Sequence, residues 1–307
     1  MKNYKKLITT IIIALIAAAG VVLIKNFFTC RLTNEAMGIS SVTCRGHVGT
    51  LFVGSSAYRK GIDMYSLSEN KDFKDCFMLT YNGNQPFNMQ IELEEILKSD
   101  VTIDRIVVDF NPSMMDRGAD LSDKRLLWDI GIKAKRKLYS ELKKREDAGL
   151  FLFYDYWVSS NMDYLATYPI AKPLISARYY LGGSAAIEQS EGLSREELDA
   201  LEVIENPGLN DLQLDAIDAI IDMCNVNGIE LIFLESPRYI TMAADDNYKA
   251  KSDALKEHIA ARNIRVITAG DLDFDNTNPV YYADLTHMSQ EGSKALTEAI
   301  AKAIAAD

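Results

Sequence analysis

Two short motifs at opposite ends of the chain carry residue types that work together in acyl chemistry. The first lies in Thr50 to Asp63, TLFVGSSAYRKGID, where three bulky apolar residues, Leu51 to Val53, suit a buried strand. Gly54 lets the chain turn where a side chain would collide with the sheet, and Ser55 and Ser56 follow at the strand's carboxyl end. In an open parallel α/β sheet that edge is where ligands bind. Taken alone, a Gly-Ser-Ser turn is equally a structural turn or a backbone nest for an anion.

The second motif lies in Tyr281 to Gly292, YYADLTHMSQEG. Asp284 and His287 stand three apart just before a helix start, so one turn of chain brings the carboxylate beneath the imidazole. An aspartate that accepts from Nδ1 fixes the tautomer in which Nε2 deprotonates a serine. By itself the pair also reads as a turn-capping aspartate followed by a polar loop residue. The other histidines are His258, within a helix, and His47, which precedes the first strand with no acid near it in sequence.

The elements that would position these residues alternate. Apolar runs read as strands at Leu51 to Val53, Cys76 to Thr80, Ile103 to Phe110, Ile229 to Leu234 and Ile264 to Thr268. Helical periodicity falls at Met89 to Lys98, Asp211 to Asn227 and Tyr248 to Arg262, with a last helix capped near Ser289. Strand, helix, strand at this spacing argues for parallel βαβ units. The alternation is interrupted by a helical insertion at about 113–210. It comprises a long, strongly charged helical stretch over Ser122 to Ala148, an aromatic-rich stretch from Phe151 to Tyr180, and an acidic segment from Glu188 to Glu205. Composition favours a subdomain core for the aromatics, with a cap, a membrane-facing surface or a glycan platform as the alternatives.

With 307 residues, 48% hydrophobic and 25% charged, the chain has the composition of a folded protein. Its first segment differs. MKNYKK is basic, and Leu7 to Ile24 follows without a charge before Lys25, a run of the length that spans a bilayer. A cleaved signal peptide is the competing reading, but the apolar run continues past the small residues Ala17 to Gly20, which favours an uncleaved anchor. The basic tip would stay on the cytoplasmic side and place the remainder outside. The expected organisation is an anchor at 1–25, a connector at 26–49 and an α/β domain at 50–307.

The formal charge is −11; without Lys2, Lys5, Lys6 and Lys25, 29 of the 33 basic residues remain against 44 acidic ones. Such a surface repels phosphate polymers, so nucleic acid is not an expected partner. The four cysteines are too scattered for a zinc ribbon. Cys30 and Cys44 could pair in an oxidising compartment, whereas Cys76 and Cys224 read as buried thiols.

The two motifs together resemble the SGNH/GDSL hydrolase family over residues 50 to 112 and 229 to 304. In that register Ser56 matches the nucleophile, Ser55 replaces the usual aspartate, and Asp284 and His287 match the rest of the triad. The resemblance implies a flavodoxin-like, three-layer α/β fold with a parallel sheet. It also implies an oxyanion hole built from the Ser56 amide, Gly83 and Asn111, although the family's Gly-x-Asn-Asp block is missing. No metal or organic cofactor is implied. With its anchor, the chain looks most like the cell-envelope branch: accessory proteins of lipoteichoic acid D-alanylation and polysaccharide O-acetyltransferases. That likeness implies an acylated envelope glycan or acyl donor as substrate and a multi-pass membrane O-acyltransferase as partner. The rival expectation is a non-catalytic envelope assembly protein that binds such a partner or a glycan.

Overall fold

The computed structural model describes residues 2–29, 38–144 and 191–306. Cys30, the aromatic-rich stretch 151–180 and the start of the acidic segment lie outside the described residues.

Five strands form one parallel sheet: β1 (His47–Gly54), β2 (Cys76–Thr80), β3 (Thr102–Asp109), β4 (Glu230–Leu234) and β5 (Arg265–Ile267). Their spatial order is β2-β1-β3-β4-β5, the flavodoxin-like doubly wound arrangement. Every pairing is parallel, so all five carboxyl ends meet at one edge. The continuous apolar runs of the central strands follow from burial on both faces. Alternate residues separate two cores: Leu51, Val53, Ile106 and Val108 point into one, and Phe52, Val107 and Ile232 into the other.

The first face is covered by α2 (Gly38–Thr43), α5 (Pro86–Ile96) and α9 (Asp211–Asn227). The opposite face is covered by α3 (Ser56–Gly61), α4 (Met64–Ser68) and α12 (Gln290–Ala305). Helix ends follow local chemistry. Gly228 closes α9 in the left-handed region at φ 66°, and Ser289 caps α12 by accepting from the Gly292 amide. Further helices are α8 (Arg195–Asp199), α10 (Ile240–Ala243) and α11 (Asp246–Ala260).

Three expectations change. β1 begins at His47 rather than Leu51, and α2 puts Ile39 and Val42 of the connector into the core. The described part of the charged helical stretch is broken into two helices, α6 (Leu126–Asp129) and α7 (Ile132–Leu142). Ile130 and Gly131 between them are extended, and the Gly131 amide is held by Glu95 of α5 at 2.9 Å.

The expected membrane segment, residues 7–24, falls in α1 (Lys2–Thr29). Among the described residues no helix is long and apolar enough to cross a membrane.

Candidate active site

β1 delivers Ser55 and Ser56 to the carboxyl edge of the sheet. Gly54 is required there, because a Cβ on it would stand 2.8 Å from the Asp109 Cβ and 2.8 Å from the Tyr58 ring. Ser55 caps α3 with an oxygen that accepts from the Ala57 amide, which leaves Ser56 as the first residue of that short helix. The Tyr58 hydroxyl, buried behind the turn, donates to the carbonyls of Val108 and Leu234, 3.1 and 2.7 Å away, and fastens α3 to β3 and β4.

The loop before α12 brings the second motif to the same edge. Ser56 Oγ lies 2.8 Å from His287 Nε2. His287 Nδ1 lies 2.7 Å from Asp284 Oδ2. With Nδ1 donating to the carboxylate, Nε2 is left as the acceptor that faces the serine. The other carboxylate oxygen, Oδ1, accepts from the amides of Thr286 and His287, both at 2.8 Å, and from the Thr286 hydroxyl at 2.9 Å. Burial alone would raise the Asp284 pKa. The His287 hydrogen bond and charge, with the two amides, outweigh it and hold the carboxyl well below its ordinary range.

Gly83 and Asn111 lie in the loops after β2 and β3, the two strands that flank β1. Gly83 has φ 58°, and a Cβ there would stand 2.8 Å from Ser122 Oγ. Asn111 is 6% exposed, and its Oδ1 is buried without a hydrogen-bond partner. His47 and His258 stand apart from this cluster, paired with Asp104 at 3.0 Å and Asp218 at 3.2 Å. Among the described residues no group of three or more His, Cys, Asp and Glu side chains could hold a metal ion.

Several residues around this site have no place in the sequence motifs. Asp109, the last residue of β3, accepts from both the amide and the hydroxyl of Ser55. Arg238, just past β4, is 2% exposed and donates to the Thr286 carbonyl at 3.1 Å. Asn84 donates to the Gly54 carbonyl at 3.1 Å. The available signal was a charged residue closing each of two apolar runs, IVVD and IELIFLESPR, at the edge where ligands bind.

No family model matches the chain. No curated protein matches it either. Among solved structures, a candidate acylhydrolase from Bacteroides fragilis NCTC 9343 is 11% identical with a TM-score of 0.39, over 84% of this chain and 86% of that one. The acetyl xylan esterase AlAXEase is 10% identical with a TM-score of 0.41, over 84% and 100%. A GDSL-like lipase from Bacteroides thetaiotaomicron VPI-5482 is 10% identical with a TM-score of 0.38, over 84% and 87%. At these TM-scores the likeness adds no argument, and the functional reading rests on side-chain geometry.

Proposed function

We propose that this chain is a serine-dependent acyl-ester hydrolase or acyltransferase of the SGNH/GDSL type. The observation that carries the reading is the continuous relay from Ser56 Oγ through His287 to Asp284, with steps of 2.8 and 2.7 Å. A serine, a histidine and a carboxylate in this order are what nucleophilic acyl transfer requires.

In the proposed reaction Ser56 Oγ bonds to the acyl carbon while its proton passes to His287 Nε2. Asp284 stabilises the resulting imidazolium. The oxyanion is received by the Ser56 amide, with Gly83 and Asn111 as the further donors. Collapse of the tetrahedral species breaks the ester bond, and His287 returns the proton to the departing alkoxide. Water then attacks the acyl-serine, with His287 as base, and releases the acid. If a sugar hydroxyl replaces that water, the same groups perform transfer.

The substrate class we propose is an acylated cell-envelope glycan or teichoic-acid-type polymer, reached from a membrane anchor over residues 7–24, with a multi-pass O-acyltransferase as partner. The uncharged run Leu7 to Ile24 supports this reading. Against the assembly-only alternative stands the Ser56–His287 separation, which is already within proton-transfer reach.

The test is labelling with a fluorophosphonate alongside turnover of a short-chain acyl ester. Ser56 of the wild type is expected to label and turn over. Ser56→Ala is expected to abolish both, and His287→Ala to lower kcat by about 10⁴-fold or more. Unchanged turnover in either variant would refute the assignment. Recovery of the full-length chain in the soluble fraction of lysed cells would refute the anchor without touching the chemistry.

A further inference from the structure

Ser56 and His287 are 231 residues apart in sequence, yet the proposed chemistry needs them at one fixed separation. A buried cation reaches the His287 loop. Arg238 Nη1 donates to the Thr286 carbonyl at 3.1 Å. That carbonyl shares a planar peptide unit with the His287 amide, which donates to Asp284 Oδ1 at 2.8 Å. One peptide plane is therefore gripped at both ends. The adjoining Tyr239 amide adds a bond to the Leu285 carbonyl at 3.1 Å.

The guanidinium also acts on the nucleophile's support through its charge. Its charge interacts with the Tyr248 phenol and with the carboxylates of Asp109 and Glu235. Asp109 Oδ2 holds the Ser55 amide at 3.2 Å and the Ser55 hydroxyl at 2.7 Å, one residue before the serine that faces His287. Glu235 accepts from the Tyr248 hydroxyl at 2.8 Å and from the Ala269 amide at 3.0 Å. Asp109, Glu235 and Arg238 are each at most 5% exposed, so water does not screen their charges.

We propose that Arg238 is a positioning residue whose buried guanidinium, set among Asp109, Glu235 and the Thr286 carbonyl, locks the His287 loop against the Ser55–Ser56 turn. The inference rests on the serine-dependent reading of the site and adds a residue that acts through Thr286 and Asp109 rather than on substrate. Arginine suits the task because its planar, forked guanidinium reaches the Thr286 carbonyl through Nη1 and keeps its charge when buried. Lysine would keep the charge and lose the fork. An apolar residue would leave buried carboxylates without their cation.

The experiment uses the full chain and the variants Arg238→Met and Arg238→Lys. Three quantities are read: the rate of Ser56 phosphonylation, kcat and KM on a short ester, and the low-field proton resonance of the His287 Nδ1–H···Asp284 bond. In Arg238→Met, phosphonylation and kcat are expected to fall about 10- to 100-fold, with KM within about twofold of wild type and the resonance shifted or broadened. Arg238→Lys is expected to recover part of the loss. A folded Arg238→Met protein with wild-type kcat and an unmoved resonance would overturn the proposal. Should Arg238→Met fail to fold, the near-isosteric Asp109→Asn serves in its place: the same losses support the proposal, and wild-type values overturn it. A wild type that neither labels nor turns over ester would overturn the Ser56 chemistry instead. The resonance comparison would still decide the role of Arg238.

Discussion

Asp109 Oδ2 accepts hydrogen bonds from both the backbone amide and the side-chain hydroxyl of Ser55. The carboxylate that the family resemblance places at position 55 is supplied here from the end of β3. Burial raises the Asp109 pKa, while the Arg238 charge and the two Ser55 bonds draw it down without restoring it to its ordinary value. Ser55→Ala, which loses the cap and one bond to Asp109, should cost about 1 kcal/mol in urea unfolding. Ser55→Asp should cost about 3 kcal/mol or more, since it places a second carboxylate beside a buried one. The exchange Ser55→Asp with Asp109→Ser should regain most of that loss. Additive losses in the double variant would show that the two positions do not share one carboxylate.

Asp284 and His287 make the next test. Asp284→Asn keeps the shape but offers Nδ1 an amide that favours the wrong tautomer, so kcat should fall about 10⁴-fold at little change in KM. The same residue has a pH signature. Its pKa is lowered on folding, so its contribution to stability is fully present above the unfolded value of about 3.9 and is lost as pH falls through the lower folded one. The difference in Tm between wild type and Asp284→Asn should therefore be constant from pH 5 upward and shrink below about pH 4. Thermal melts across that range check it.

The sequence made some of this legible and hid the rest for physical reasons. Gly54-Ser55-Ser56 and Asp284-x-x-His287 are each local, so their spacing alone suggests a strand-end turn and a carboxylate beneath an imidazole. The strands were visible because burial on both faces leaves continuous apolar runs such as FMLT and IVV. Asp109 and Arg238 were not assigned, because the bonds that define them cross 54 residues to Ser55 and 48 residues to Thr286, distances over which spacing carries no information. The same holds for His47, whose acid, Asp104, is brought alongside only when β1 pairs with β3. The break between α6 and α7 was not legible either, because the Glu95 carboxylate that fixes it comes from another helix.

Asn111 is the weakest match to the family motif and gives a sharp outcome. If its side chain serves the oxyanion, Asn111→Ala and Asn111→Asp should each lower kcat about 10²- to 10³-fold with KM nearly unchanged. Asn111→Asp replaces the donor by a charge of the wrong sign and should be no better than alanine. A loss confined to KM would instead assign Asn111 to substrate binding.

The two buried thiols separate stability from chemistry. Cys76 and Cys224 are free and buried, and burial pushes both thiols up to about 12. Cys44 is disulfide-bonded. At pH 8 the native protein should react with a thiol-specific disulfide reagent far more slowly than the same protein in denaturant, since both access and thiolate fraction are suppressed. The linkage has a definite sign. Above pH ~8.5 the unfolded chain loses these protons while the folded chain keeps them, so stability should decline steadily as pH rises from there toward about 12. Replacing both with alanine should remove the decline between about pH 8.5 and pH 10, below the range in which the unfolded chain's tyrosines titrate, while leaving Ser56 phosphonylation unchanged, because neither thiol belongs to the Ser56–His287–Asp284 relay. Rapid modification of either cysteine in the native state would contradict the buried placement at the start of β2 and on the inner face of α9.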